Sequence, residues 1–483
     1  MSKIFGNAFF ELMKIRAGRE LGSDEVILTG KDLMFKTPFL VGETVAEALA
    51  ARAVAANDLW ELRTGRRQKI SVDVSAAAAT CLGGTDMTQK CNEKGQYEPV
   101  PTAPEFAHMV SVTQPWKAAD DRWFLPHFNL PHLQERVLGV LKCENTPEGV
   151  AKAVSQWKAE DLDAAIAGVN ATGGMVFTPE EWLKHPQGAY LASVPVVEIT
   201  KIADSSPEPL PNGSEASEPL SGIRVLDLTR ILAGPTAGIG MAEHGADVLM
   251  VTSPSLPQVP AFIRDTSHGK RSCFLDYKDA DQAERLKELA KEADVFIEGY
   301  RPHCMEVHGF GPEDLAALRP GIVYISVNCF GSGGPYASRA GWDQVAQAVT
   351  GMCHTQGIAE DAGIPKLSPI FLCDFLTGFL GTFGAMVALA RRAREGGSYR
   401  VQVSLCQSAM LIQRQGLIDQ FEEAPGKLSP DEFEKYAVCD NNTVYGNLKT
   451  LGPVIRMSET SPKWSNTTPE LGSSKPEWLP RTN

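Results

Sequence analysis

Between residues 223 and 327 the chain alternates strand and helix with little between them. I-R-V-L-D-L-T (223–229) reads as a strand, A-G-P-T-A-G-I-G-M-A-E-H-G (233–245) as a helix with a glycine stop, and A-D-V-L-M-V (246–251) as a strand. Ala280 to Ala293 is a helix, D-V-F-I-E (294–298) a strand, Pro312 to Ala317 a helix and G-I-V-Y-I-S-V (321–327) a strand. Strand–helix alternation at this spacing predicts a Rossmann-like parallel sheet with helices on both faces, hence an α/β fold. Ligands of such sheets bind beyond the carboxyl ends of the strands. Those ends carry Thr229-Arg230, Gly299-Tyr300-Arg301 and Asn328-Cys329-Phe330-Gly331. The glycines at 234, 238, 240 and 245 miss the G-x-G-x-x-G spacing, and M-V-T-S-P offers no acidic residue for a ribose, so a nicotinamide or flavin site is not expected.

A second constraint is S-P-I-F-L-C-D-F-L-T-G-F-L-G-T-F-G-A-M-V-A (368–388), in which Asp374 is the one charged residue. An aspartate entering a helix can cap it, accepting bonds from the first-turn N–H groups. A carboxylate in a water-poor site can equally act as a nucleophile and form acyl intermediates. The same texture occurs earlier, from Pro38: an Ala-rich helix, Gly65 as its stop, then I-S-V-D-V as a strand. Aligned without gaps, Pro38 falls on Pro369, Gly65 on Gly396, Ile70 on Val401, Val72 on Val403 and Glu43 on Asp374. The pattern predicts an internal repeat, with Glu43 either the relict of a second nucleophile or simply an acidic residue at a helix start.

The remaining chain divides around these blocks. Residues 1–113 are expected to be a partial copy of the large domain, loop-rich from 76 onward. Residues 114–204 read as a smaller α/β domain containing T-P-E-E (178–181), a capped helix start, and closing on the strand V-P-V-V-E-I-T-K-I. S-S-P-E-P-L-P-N-G-S-E-A-S-E-P-L-S (205–221) is a linker. Residues 222–413 form the Rossmann-like domain, and 414–483 a wrapping C-terminal segment.

A net charge of -13 argues against a nucleic-acid or anionic-membrane partner. An anionic ligand would need a local basic cluster, and Arg230, Lys270, Arg271, Lys278, Arg301 and Arg339 are the candidates near the strand ends. Ten cysteines without C-x-x-C or paired spacing predict reduced thiols in a cytoplasmic protein, and no His/Cys set has metal-ligand spacing. F-G-S-G-G-P-Y (330–336) is a Gly-rich turn able to hold an oxyanion or to be merely structural.

Together with H-G-K-R-S-C-F-L-D-Y-K (268–278), E-A-D-V-F-I-E-G-Y-R-P (292–302), G-F-G-P-E-D-L (309–315), A-G-W-D-Q-V-A-Q-A-V-T-G (340–351) and L-C-D-F-L-T-G (372–378), these blocks resemble the family III CoA-transferases (CaiB/BaiF) in order and content over roughly 220–405. V-F-T-P-E-E-W-L-K-H-P-Q (176–187) is similar to the family's small domain, and Y-G-N-L-K-T-L-G-P-V-I-R (445–456) to its closing segment. The resemblance implies the family III fold and a transferase moving coenzyme A from an acyl-CoA to a small carboxylic acid. Acyl-CoA would be a substrate rather than a resident cofactor. It implies Asp374 as the nucleophile, Gly333 and Gly334 as the loop over the intermediate, and Leu232, Ala233, Leu275, Lys278, Gly299, Tyr300, Arg301 and Arg339 as CoA contacts. The small-domain-like segment stands before the large domain rather than after it. A homodimer or an intramolecular pseudodimer is therefore expected. Departures from the family pattern are Thr252-Ser253, Val307, and Trp342 in place of the histidine of G-H-D that related racemases use. The rival readings are an acyl-CoA racemase or epimerase and a non-catalytic acyl-CoA-binding protein.

Overall fold

A computed structural model of the chain describes residues 5–82, 87–211 and 213–481. In chain order, the elements that build the site begin with strand β1 (Val26–Thr29), helix α1 (Val41–Thr64), strand β2 (Ile70–Asp73) and helix α2 (Val74–Ala79). Helix α3 (Pro186–Ser193), strands β3 (Glu198–Ala203) and β4 (Arg224–Asp227) and helix α4 (Ala233–Ala242) follow. Next come strands β5 (Asp247–Thr252), β6 (Arg271–Phe274), β7 (Val295–Glu298) and β8 (Val323–Asn328), then helices α5 (Asp343–Val349) and α6 (Leu372–Glu395). Strand β9 (Ser398–Ser404), helix α7 (Leu405–Gln413) and strand β10 (Arg456–Met457) complete the set.

The large sheet has seven strands in the order β6-β5-β4-β7-β8-β9-β3. All neighbours are parallel except β3, which runs antiparallel along β9. Val225, Leu226, Val248, Leu249, Phe296, Ile297 and Ile325 are buried in it, as strands covered on both faces require. Helix α6 is long and apolar enough to cross a membrane, but its apolar window is wholly buried within the fold, as befits a core helix.

The 114–204 region contains a small antiparallel sheet (116–117, 123–126, 173–175) and five helices, Pro131–Leu141, Pro147–Val154, Ala159–Gly168, Pro179–Lys184 and Pro186–Ser193. The strand that ends this region does not join that sheet. It covers the edge of β9, which would otherwise expose a row of unpaired backbone groups. The loop-rich expectation for 76–113 is also corrected. Asp73 caps α2 by accepting from the Ala76 N–H at 3.0 Å, and strands 88–91 and 97–99 and helix Pro104–Val112 follow. Strand 97–99 pairs antiparallel with 88–91, and 88–91 pairs on its other side with 446–451, far away in sequence.

The two aligned segments are alike in more than their sequence pattern. Helices α1 and α6 are both 24 residues long, and in the gapless alignment Val41 falls on Leu372 and Thr64 on Glu395. Their N-caps, Leu40 (φ -74°, ψ 62°) and Phe371 (φ -84°, ψ 59°), share one backbone conformation, and glycines at positive φ, 71° and 73°, end both. Asp73 and Ser404 cap the next helices equivalently, each accepting from the residue three further on. The strands trailing each repeat are exchanged. Strand β3 follows the first repeat and pairs with β9 of the second, with Glu198 opposite Gln402. Strand β10 follows the second repeat and pairs with β2 of the first, with Arg456 opposite Ser71, the counterpart of Gln402. The two long helices pack directly on each other, and a buried ion pair at 2.6 Å ties Arg52 of α1 to Glu243 at the end of α4.

Candidate active site

Asp374 stands in the first turn of α6 and is buried, with 8% of its surface exposed. It does not cap the helix. The cap is Asp343, at the start of α5, whose Oδ2 accepts from the N–H groups of Cys373 at 2.7 Å and Asp374 at 3.0 Å. Asp343 Oδ1 accepts from the Gln347 amide at 2.5 Å, so the capping carboxylate is fixed on both sides. Two of the helix's first-turn amides are thereby satisfied from outside, and the Asp374 side chain is left for another task. No donor reaches its carboxylate among the described residues. Burial, and then the negative charge of Asp343, push its pKa well above the usual carboxylate range. Burial likewise lifts Asp343, to about 6, against the hydrogen bonds it accepts.

Helix α6 approaches α4 closely because Gly378, one turn beyond Asp374, has no side chain. A Cβ there would lie 2.5 Å from Thr236 Cβ and 2.6 Å from the Ala233 carbonyl oxygen. This contact brings Leu232 and Ala233, both buried, beside α6.

The glycine turn follows β8. Asn328 closes it by accepting from the Gly331 N–H at 2.7 Å. Gly334 has φ +86°, a conformation that a side chain would strain. Among the described residues, the amides of Gly333 and Gly334 have no protein acceptor. The turn is clamped by Gln187 of α3, a residue the sequence reading did not single out. Its fully buried amide donates to the carbonyls of Phe330 at 2.7 Å and Gly333 at 2.8 Å, and its Oε1 accepts from the Tyr336 N–H at 2.6 Å. The segment resembling a small domain thus supports the glycine turn of the same chain.

The expected CoA contacts gather at the carboxyl ends of the sheet. Leu275, Lys278 and Tyr300 line one crevice, and Tyr300 with Arg301 lines a second, larger one of about 290 Å³ that reaches Ser332 and Gly334. Tyr300 joins the two. Gly299 and Lys278 are exposed, while Arg301 donates to the Asn170 carbonyl oxygen at 2.6 Å and Oδ1 at 3.2 Å. Arg339 lies 3.8 Å from the centre of the Tyr336 ring and pairs with Asp163 at 2.5 Å. The basic cluster is smaller than expected. Lys270 is buried against Asp227 at 2.8 Å, and Arg271 is paired with Asp247 at 2.9 Å, so both serve the fold. A fully buried Lys finds such a partner or loses its charge.

In G-W-D, Trp342 stacks on His127 with ring centres 5.5 Å apart, and His127 is bonded to Gln344 Oε1 at 3.1 Å. Burial lowers the His127 pKa to about 4, so the ring is neutral near physiological pH. No group of three or more His, Cys, Asp or Glu suited to a metal ion occurs among the described residues.

On the first repeat, Asp32 Oδ2 accepts from the Glu43 N–H at 2.8 Å, as Asp343 does from Asp374. Glu43 thus has the helix position and the capping partner of Asp374, but among the described residues β1 and β2 are joined only by β10 and have no counterparts of β4 to β7.

The model of CoA-transferase family III matches residues 220–438. An acyl-CoA transferase of Gibberella moniliformis is 33% identical over 66% of this chain and 63% of its own length. The acetyl-coenzyme A transferase nodX of Hypoxylon pulicicidum is 29% identical over 76% of this chain and 67% of its own. The chain therefore spans about two thirds of the length of these two relatives. Among solved structures, a hypothetical protein from Mycobacterium tuberculosis is 32% identical over 41% of this chain and 56% of its own, with a TM-score of 0.38. The matched segment, residues 220–438, holds six of the seven strands of the large sheet, the glycine turn and Asp374, and it is this part of the chain that resembles CoA-transferase family III.

Proposed function

We propose that the chain transfers coenzyme A between an acyl-CoA and a carboxylic acid, with Asp374 as the covalent nucleophile. The observation that carries this is the state of Asp374: a buried carboxylate that no donor reaches among the described residues, at a helix start already capped by Asp343. Desolvation makes such a carboxylate reactive and shields an anhydride from water.

An Asp374 oxygen attacks the thioester carbonyl, the C–S bond breaks, and the CoA thiolate leaves with the electron pair, giving a mixed anhydride. The thiolate attacks the Asp374 carbonyl carbon and releases the donor acid as its carboxylate, leaving an aspartyl-CoA thioester. The acceptor carboxylate repeats the sequence in reverse, regenerating Asp374 and releasing the new acyl-CoA. The free amides of Gly333 and Gly334 suit the oxyanion that develops at each addition. Tyr300 and Arg301 suit the CoA moiety at the strand ends. Because Gln187, Asp163 and Asn170 reach the large domain from within the same chain, the functional unit is a single-chain pseudodimer with one active site.

Asp374→Ala is expected to abolish CoA transfer while acyl-CoA still raises the thermal midpoint. Transfer that survives in Asp374→Ala would overturn the proposal.

A further inference from the structure

A cavity of about 540 Å³ lies against the loop that delivers Asp374 to its helix. Its walls include Phe106 and Met109 of helix 104–112, Val259 and Phe262 at the start of helix 260–266, and Ile370 and Phe371 immediately before α6. Phe106, Phe262 and Phe371 form a closed aromatic wall, with pairwise ring-centre distances of 5.9, 6.2 and 5.7 Å and edge-on geometry throughout. Edge-to-face packing of this kind makes a firm apolar surface. The volume falls within the range of preformed small-molecule pockets, roughly 300 to 1,000 Å³.

The charge of the lining decides what the cavity accepts. Arg264 is its one basic residue among the described residues, and its guanidinium is engaged by Asp265 at 2.7 and 3.3 Å. Glu105, the lining's acidic residue, would repel a second carboxylate. Burying an unpaired carboxylate in such surroundings is costly, whereas each buried methylene is favourable.

We propose that this cavity receives the apolar chain of the acid whose CoA ester Asp374 exchanges, so that the substrates are medium-chain or bulky apolar acids rather than short dicarboxylates. The proposal rests on the reading of Asp374 as the nucleophile, since Ile370 and Phe371 of the cavity wall immediately precede the helix turn that carries that residue. Helix 104–112 lies outside the family-matched segment 220–438, so this part of the specificity comes from the N-terminal portion of the chain.

The test combines a binding and a turnover measurement on the full chain. Transfer is measured from acetyl-, hexanoyl-, decanoyl- and succinyl-CoA, and thermal stabilisation is measured with free decanoate and free succinate. Ala261→Trp and Met109→Trp fill the cavity from opposite walls. The wild type is expected to gain roughly twofold to fourfold in kcat/KM per added methylene until the cavity is full. Decanoate, not succinate, should stabilise both the wild type and Asp374→Asn. Either filling variant should lower the decanoyl-to-acetyl ratio by about tenfold or more and remove the decanoate effect. Equal use of succinyl- and decanoyl-CoA, or filling variants that leave the ratio and the decanoate shift intact, would overturn the proposal. Decanoate stabilisation that the filling variants remove, with no transfer from any donor, would uphold the cavity and reject the transferase reading instead.

Discussion

The carboxylate of Asp343 holds the backbone N–H of Asp374 at 3.0 Å, so that one acidic residue caps the helix on which the other does its work. The arrangement separates two tasks that a single aspartate at a helix start would have to share. It also sets a second negative charge beside Asp374, which, after burial, helps to hold its pKa up.

Replacing Asp343 tests that division of labour. Asp343→Ala leaves two buried N–H groups without their acceptor and should cost about 1 to 3 kcal/mol of stability. Asp343→Asn keeps an acceptor but removes the charge. It should shift the acid limb of the pH–rate profile to lower pH, because Asp374 then ionises more easily. A profile identical to the wild type's would show that the charge is irrelevant.

Asp374 itself opposes stability when ionised. Its folded-state pKa is raised above its unfolded value, so its contribution is fully favourable below the unfolded pKa and is lost as pH rises through the folded one. Asp374→Asn should therefore be inactive yet melt higher than the wild type at neutral pH, with the gap closing as pH falls toward about 4. The activity of the wild type has the opposite sign, rising with pH as the carboxylate forms. A lower melting point for Asp374→Asn at neutral pH would contradict the burial argument.

Gln187 links the small-domain-like segment to the glycine turn through three hydrogen bonds. Gln187→Ala should lower kcat by about tenfold or more with little change in KM for the acyl-CoA, because the turn is needed in the transition state rather than for binding. Gln187→Glu cannot donate to the two carbonyls when ionised and should not rescue. An unaltered kcat would remove the turn from the mechanism.

The exchanged strands β3 and β10 complete both repeats within one chain. Light scattering should accordingly give the mass of a single chain, 52.3 kDa, at concentrations where the enzyme is active. A mass of twice that, or activity that falls away on dilution, would show that a second copy is required.

The alternation over 223–327 foretold the parallel sheet because each strand and helix there is a local signal. The two 24-residue helices were legible for the same reason, since Gly65 and Gly396 mark their ends. The site was only half legible. Asp374 stands out as a lone charge in an apolar run, but Asp343, 31 residues upstream, gives no sign in sequence of capping it. Gln187 lies more than a hundred residues from the turn it clamps, and only the small-domain resemblance of its surroundings pointed there. Lys270 and Arg271 looked like ligand-binding charges because sequence does not reveal that Asp227 and Asp247 neutralise them. Partners brought together by folding are what single-sequence periodicity omits.

The central claim is that Asp374 carries the acyl and CoA groups in turn. Its most direct test is intact-protein mass spectrometry after incubation with an acyl-CoA panel, followed by hydroxylamine, with Asp374→Ala alongside. A hydroxylamine-sensitive adduct on the wild type and none on the variant is the predicted result. Binding without an adduct from any donor, or an adduct that persists in Asp374→Ala, would contradict it.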